Sequence, residues 1–237
     1  WQVIETQVGS DYTYTFSGIE GTYFSGSDMV YAGNGDDRGQ MGGGDDTVFG
    51  ENGVDKFWGD GGADTLLGGE GADLLHGDNS ATYVPVIQHG EDFIDGGNGA
   101  DTLYGGGASD TIYGGADNDY IIADEATSEN AGNDFVDAGS GADEIYGGAG
   151  ADTLYGGVGD DIIRGDFVDS QLASQYHGAD MLDGGDGADL LYGNGGADTL
   201  YGGAGDDYLR GDNADVTSNM QLADMLDGGS GQDTLVG

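Results

Sequence analysis

Lysine and arginine are almost missing from this chain: 4 basic residues stand against 46 acidic ones in 237, and there is no cysteine. So few cations argue against a nucleic-acid partner, because phosphate contacts are made by those side chains. Lack of cysteine excludes a disulfide scaffold and a thiolate metal site. No apolar run approaches the length of a membrane span, and no secretory signal opens the chain. Familiar catalytic signatures are absent too: there is no HExxH, no nucleophile elbow and no phosphate-binding loop. The three histidines, His76, His89 and His177, have no second His or Cys near them in sequence and read as surface or turn residues.

What the chain has is glycine and aspartate: 53 glycines and a formal net charge of -42. Taken as composition, that describes a disordered, solvating segment. The order of the residues says otherwise. GGAGADTLY at 147–155 is followed at once by GGVGDDIIR at 156–164 and preceded by AGSGADEIY at 138–146. Each unit has glycines at its first, second and fourth places or most of them, aspartate at its sixth and an aliphatic residue at its eighth. A fixed short period decides architecture before local propensity does.

The register begins near residue 23 and runs to Gly237, giving about twenty units with aspartate at the sixth place of every one. Four insertions interrupt it, near 79–89, 125–131, 167–177 and 213–221, each directly after Gly77–Asp78, Ala123–Asp124, Gly165–Asp166 or Gly211–Asp212. They fall four units apart, so in a coil made of two units they line up along one edge. Residues 1–22 lie outside the repeat and alternate as one or two short strands, which reads as a cap on the open end or as the end of a preceding domain. Trp1 in place of an initiator Met, and a stop at the first glycine of a further unit, suggest a piece of a longer array that continues into further repeats or a C-terminal cap.

The fold expected from this pattern is all-β: a parallel β-roll, or solenoid, of about ten coils with insert loops along one edge. Glycines allow the tight turns at positive φ. Places seven to nine form a short strand whose eighth residue packs inward while its neighbours point out. The inward series runs Val48, Phe57, Leu66, Leu75, Ile94, Leu103, Ile112, Ile121, Val136, Ile145, Leu154, Ile163, Leu182, Leu191, Leu200, Leu209, Leu226 and Leu235, with Gly39 as a local weak point. The apolar seventh residues Phe93, Phe135, Met181 and Met225 follow the insertions, which suggests that each insert folds back over its own.

Stacking sets each sixth-place aspartate about 4.8 Å from its counterpart in the next coil. A column of bare carboxylates at that spacing repels itself, and a hard divalent cation between coils reverses the sign. Carboxylates and turn carbonyls are the ligands calcium accepts, whereas magnesium demands a tighter octahedron. One column is uninterrupted: Asp37, Asp55, Asp73, Asp101, Asp119, Asp143, Asp161, Asp189, Asp207 and Asp233. The other carries the insertions, which leaves some of its sites open to alteration: Asp28, Asp46, Asp64, Asp92, Asp110, Asp134, Asp152, Asp180, Asp198 and Asp224. Nine gaps per column give at most roughly eighteen ions, whose charge of about +36 nearly cancels the chain's own. Ordering so glycine-rich a chain costs more than its thin core returns, so metal binding is expected to be part of folding.

The units GGNGADTLY, GGAGADTLY, GGVGDDIIR and GGDGADLLY resemble the RTX, or haemolysin-type calcium-binding, repeat family over about nine-tenths of the chain. The resemblance implies a roll in a large exoprotein of Gram-negative bacteria, exported unfolded by type I secretion and folded by extracellular calcium. Members include toxins, proteases, lipases, epimerases, adhesins and surface-layer proteins, and the roll itself is usually not catalytic. Ala108 and Asp117 depart from the family's glycine at the fourth place, which puts the turns there in doubt.

Two functions follow as expectations. The first is a non-catalytic structural spacer in a secreted or cell-surface protein. The second is an adhesin segment or enzyme-associated binding module that meets a glycan or protein through the inserts and the outward tyrosines Tyr104, Tyr113, Tyr146, Tyr155, Tyr192 and Tyr201. An enzyme within this span ranks behind both. Ice binding fits poorly, because outward threonines alternate with Phe and Met.

Overall fold

The computed structural model describes residues 26–78, 89–124, 132–167, 177–212 and 222–237 in full, and the backbone alone of 3–8 and 11–16. Among the described residues every regular element is a strand. Successive nonapeptides alternate between two sheets, so that strand Thr102–Gly106 pairs in parallel with the strands one coil before and one coil after, Leu74–Asp78 and Tyr120–Asp124. In that register Leu103 lies between Leu75 and Ile121, eighth place upon eighth place. The other sheet stacks Ile94, Ile112, Val136 and Leu154 in the same way. One sheet has ten strands and the other twelve. The two extra strands are the antiparallel pair Val3–Val8 and Asp11–Phe16, and the second of these runs parallel to Arg38–Gly43 at the first coil.

The roll is therefore the parallel β-solenoid that the period implies, with two units to a coil. Each strand buries every second residue: Leu66 and Gly68 in Thr65–Glu70 face in, while Thr65 and Leu67 are only half-buried. The two eighth-place rows meet between the sheets as a narrow core, and from Val48 to Leu209 each member is fully buried. Each such side chain contributes ~1.5–3 kcal/mol on removal from water.

Two details depart from the simple pattern. Met41, at a first place normally held by glycine, is 1% exposed, and its Cε lies 2.5 Å from where a Cβ on Gly39 would sit. Met41 thus fills the space left by the missing core side chain at Gly39, and the weak point is repaired from the next unit. Leu235, expected inside, is 46% exposed, because no described coil stacks on it.

The fourth-place turns need positive φ, as at Gly99 (131°) and Gly159 (136°). Ala108 and Asp117 take the same turn at φ 80° and 74°. The turn thus survives both substitutions, with a left-handed residue that costs about 1–2 kcal/mol when it carries a Cβ.

All four insertions leave from the end of a twelve-stranded-sheet strand and return at the start of a ten-stranded-sheet strand, so their bases share one edge. The first leaves after Leu74–Asp78 and returns before Phe93–Asn98. Bridges Gly62↔His89 and Gly150↔His177 mark two of the returns. The folding of inserts over Phe93, Phe135, Met181 and Met225 lies largely outside the described residues. Phe93 and Met225 are exposed, and Phe135 lies between Tyr113 and Tyr155 at ring distances of 5.9 and 5.8 Å. Phe167, at the start of the third insertion, stacks on Tyr146 of the twelve-stranded sheet at 5.5 Å.

Candidate metal columns

The sixth-place aspartates are placed by the turn that the glycines make. Each ends the turn, and its backbone carbonyl accepts the first strand amide of the next coil, as Asp73 does from Thr102 at 2.8 Å. Its side chain points inward and sideways along the stack. In the uninterrupted column the main-chain N–H of Asp55 donates to Oδ1 of Asp73 (2.8 Å), that of Asp73 to Asp101 (2.7 Å) and that of Asp101 to Asp119 (2.8 Å). The same bond continues from Asp37 at one end to Asp233 at the other. The second column repeats it from Asp28 to Asp224, and its steps across the insertions are unbroken: Asp64 to Asp92 at 2.7 Å and Asp152 to Asp180 at 3.0 Å. All twenty aspartates stand in these two ladders.

One carboxylate oxygen is thereby used and the other is left over. Oδ2 of Asp55, Asp64, Asp73, Asp92, Asp101, Asp110, Asp119 and their counterparts through Asp207 is buried without a hydrogen-bond partner. A buried charged oxygen without a partner is costly, so its repetition coil after coil marks a built position for a cation. Around it the first-place glycines leave a cradle. The point where a Cβ on Gly114 would lie is 2.5 Å from Asp119 Oδ2 and 2.5 Å from the Ala138 carbonyl oxygen of the next coil. Gly68, Gly77, Gly96, Gly156, Gly184 and Gly202 show the same pairing of an in-unit Asp Oδ2 with a carbonyl one coil on. Calcium is held by oxygens at 2.3–2.6 Å. The residues present therefore fit calcium. Among the described residues no group of three or more His, Cys, Asp or Glu side chains gathers at metal distance. Each position thus depends on carboxylates from the column together with turn carbonyls, a donor set made of oxygen alone.

Electrostatics agree. Burial pushes the Asp55 carboxyl up to about 7 and Asp64 to about 8, against the backbone N–H bonds that lower them. Burial, and then the Asp92 charge, pushes Asp110 up to about 10. Burial thus disfavours the ionised form of these carboxyls when no cation is present. A divalent ion supplies the counter-charge that makes the ionised form stable.

The family model for the RTX calcium-binding nonapeptide repeat matches residues 24–38, 42–75, 90–123, 130–166, 178–214 and 223–237, well over half of the chain. The chain belongs to the RTX calcium-binding repeat family. The matched segments break at or near the four insertions, which are what this RTX chain adds to the repeat. No curated protein matches it. The RTX repeat is a calcium-binding structural module, found in secreted proteins of Gram-negative bacteria.

Other sequence candidates are dispersed. His76 stacks between Trp58 and Tyr104 at 5.7 and 4.2 Å, and burial lowers its pKa to about 4. His89 and His177 sit at insertion bases, where Nδ1 lies 3.5 Å from Asp78 Oδ2 and 2.9 Å from Asp166 Oδ2. The six ninth-place tyrosines do not form one series. Successive units belong to opposite sheets, so Tyr104, Tyr146 and Tyr192 line the twelve-stranded face and Tyr113, Tyr155 and Tyr201 the ten-stranded face. All four basic residues, Arg38, Lys56, Arg164 and Arg210, fall on the twelve-stranded face. Arg38 lies 5.0 Å over the Trp58 ring, and Arg164 lies 4.9 Å over Tyr146 and 3.0 Å from Glu144.

The sequence reading missed Asp78, Asp124 and Asp166. These second-place aspartates are 4%, 0% and 1% exposed, as buried as the columns themselves. Their signal was available: an aspartate stands directly before every insertion.

Proposed function

We propose that the twenty column aspartates bind calcium between coils, and that calcium drives folding of the roll after export. The observation that carries this reading is the row of buried, partnerless Oδ2 atoms facing glycine cradles. Calcium supplies the positive charge. The chain's own part is to aim the carboxylates by the backbone ladder, present the turn carbonyls and exclude water with the eighth-place core. At most roughly eighteen ions fit the eighteen ladder steps. The folded array serves as a rigid, non-catalytic spacer in a secreted or surface protein of a Gram-negative bacterium using type I secretion. The pairing of strand Val3–Val8 with Asp11–Phe16, and of the latter with Arg38–Gly43, supports a cap at the first coil. No helix among the described residues is long and apolar enough to cross a membrane. The test is a calcium count on folded, chelator-stripped and reloaded protein by equilibrium dialysis. A number in the teens supports the two columns, and zero to two ions removes them.

The second reading, an adhesin-like or enzyme-associated module that binds glycan or protein, is favoured by one observation: the twelve-stranded face gathers every cation of the chain among Trp58, Tyr104, Tyr146 and Tyr192. Aromatic faces stack sugars and apolar groups. Glycan-array binding lost in Trp58→Ala and Tyr146→Ala supports it, and an empty array with the calcium-folded protein removes the glycan arm.

A further inference from the structure

The insertion-bearing column does more than tolerate its insertions. Between the first and third insertions, the second places of its units read Asp78, Gly106, Asp124, Gly148 and Asp166, with Asp60 before them and Asn194 after. Each glycine makes room for the aspartate before it. A Cβ on Gly106 would meet the Cβ of Asp78, and one on Gly148 would lie 2.7 Å from the Cβ of Asp124. The two carboxylate oxygens then have separate tasks. Oδ2 of Asp78 accepts the N–H of Gly107 in the next coil (3.2 Å), and the Asp78 carboxylate also accepts from Gly90, the glycine on which the chain returns. Oδ2 of Asp166 accepts from Gly195 (3.3 Å), and the Asp166 carboxylate also accepts from Gly178, again the returning glycine. The His177 ring stands against Asp166 Oδ2 at 2.9 Å, 7% exposed. Oδ1 of both aspartates is buried and has no hydrogen-bond partner. The column charges of Asp92 and Asp64 act on the Asp78 carboxyl, and those of Asp198 and Asp152 on Asp166.

Asp124 shares the arrangement, with Oδ2 bonded to the returning Gly132 at 2.9 Å. Its unit differs at the first place. Gly77 and Gly165 leave the cradle open, whereas Ala123 carries a methyl group there.

We propose that Asp78 and Asp166 are additional calcium ligands, which give Oδ1 to the ion of the neighbouring column aspartate and use Oδ2 to tie that ion to the base of the insertion. The inference rests on the reading of the columns as calcium sites. A second carboxylate raises the negative charge at these two positions, and calcium affinity rises with ligand charge. The insertion-bearing column thus holds the roll's strongest sites at the first and third insertions, where insertion alone suggests weakened ones. Loading them fixes the returning strands at Gly90 and Gly178.

The experiment is calcium titration of the whole chain with exchange of the Gly90 and Gly178 amides followed by NMR. It compares wild type, Asp78→Asn, Asp166→Asn, the double variant and Asp124→Asn. Circular dichroism checks in each case that calcium still produces the β spectrum. The expected result is that the double variant folds at saturating calcium, holds about two fewer ions at limiting calcium and exchanges these amides about tenfold faster, since a charge-assisted bond is replaced by a neutral one. Asp124→Asn keeps its ion count. An unchanged count and midpoint in the double variant, with unchanged exchange, overturns the proposal while leaving the columns intact. A wild-type chain that shows no calcium-dependent β spectrum overturns the column reading itself. If the double variant fails to fold, each single variant is read at its own insertion.

Discussion

The main-chain N–H of Asp101 donates to Oδ1 of Asp119, 2.8 Å away and eighteen residues later, and leaves Asp119 Oδ2 buried beside the carbonyl oxygen of Ala138. This one bond links the architecture to the chemistry. It fixes the carboxylate by its first oxygen and commits the second to whatever lies between coils. The consequences can be tested residue by residue.

Asp119→Asn keeps an acceptor for the Asp101 amide and removes the negative oxygen at the cradle. The roll should still stack, with its calcium midpoint raised on the order of tenfold because one ligand charge is gone. Isothermal titration calorimetry reads the shift. An unchanged midpoint contradicts a metal role for Asp119.

Gly156→Ala isolates the cradle from backbone strain. Gly156 is not among the positive-φ glycines, so alanine suits its backbone. Its Cβ would, however, meet Asp161 Oδ2 and lie 2.8 Å from the Gly184 carbonyl oxygen. The variant should bind one calcium fewer and reach the same β spectrum at saturation. A full complement of ions in Gly156→Ala would place the metal elsewhere.

Ala108→Gly relieves the left-handed alanine at φ 80°. Removing a Cβ penalty of about 1–2 kcal/mol, less the extra chain entropy of glycine, should stabilise the calcium-loaded roll by about 0.5–1 kcal/mol. Thermal unfolding at fixed free calcium gives the answer, and a lowered midpoint contradicts the strain assigned there.

Without calcium, pH should act in the sense set by the raised carboxyls. Asp55, Asp64 and Asp110 move from 3.8 to about 7, 8 and 10, chiefly through burial. A folded-state pKa above the unfolded value means that the metal-free roll binds more protons than the unfolded chain. Its stability is therefore greatest near and below pH 4 and is lost as pH rises through about 7 to 10. Calcium has the opposite preference, because it needs the ionised form. Far-UV spectra in calcium-free buffer should show more β structure at pH 4 than at pH 8, and the calcium midpoint should fall as pH rises.

Much of this is legible in the amino-acid sequence. Repetition of aspartate at one phase named both ladders from Asp37 to Asp233 and from Asp28 to Asp224, because a period is a geometric statement. Side-chain substitution between units is less legible. Nothing in the string GQMGG says that Met41 fills the hole at Gly39, since that depends on a first-place residue pointing inward. The tyrosines looked like a single series because they share a ninth place, and only the alternation of units between sheets divides Tyr104 from Tyr113. Asp78 and Asp166 were passed over because they stand outside the repeated sixth place, although their position before each insertion was itself periodic.

The most direct test of the account is a far-UV circular dichroism titration with calcium, run beside magnesium. The columns predict a cooperative change from coil to β structure with calcium, little change with magnesium at the same concentration, and full reversal by chelator. A β spectrum that survives exhaustive removal of calcium at neutral pH would show that the twenty aspartates do not hold the roll together, and would contradict the account at its centre.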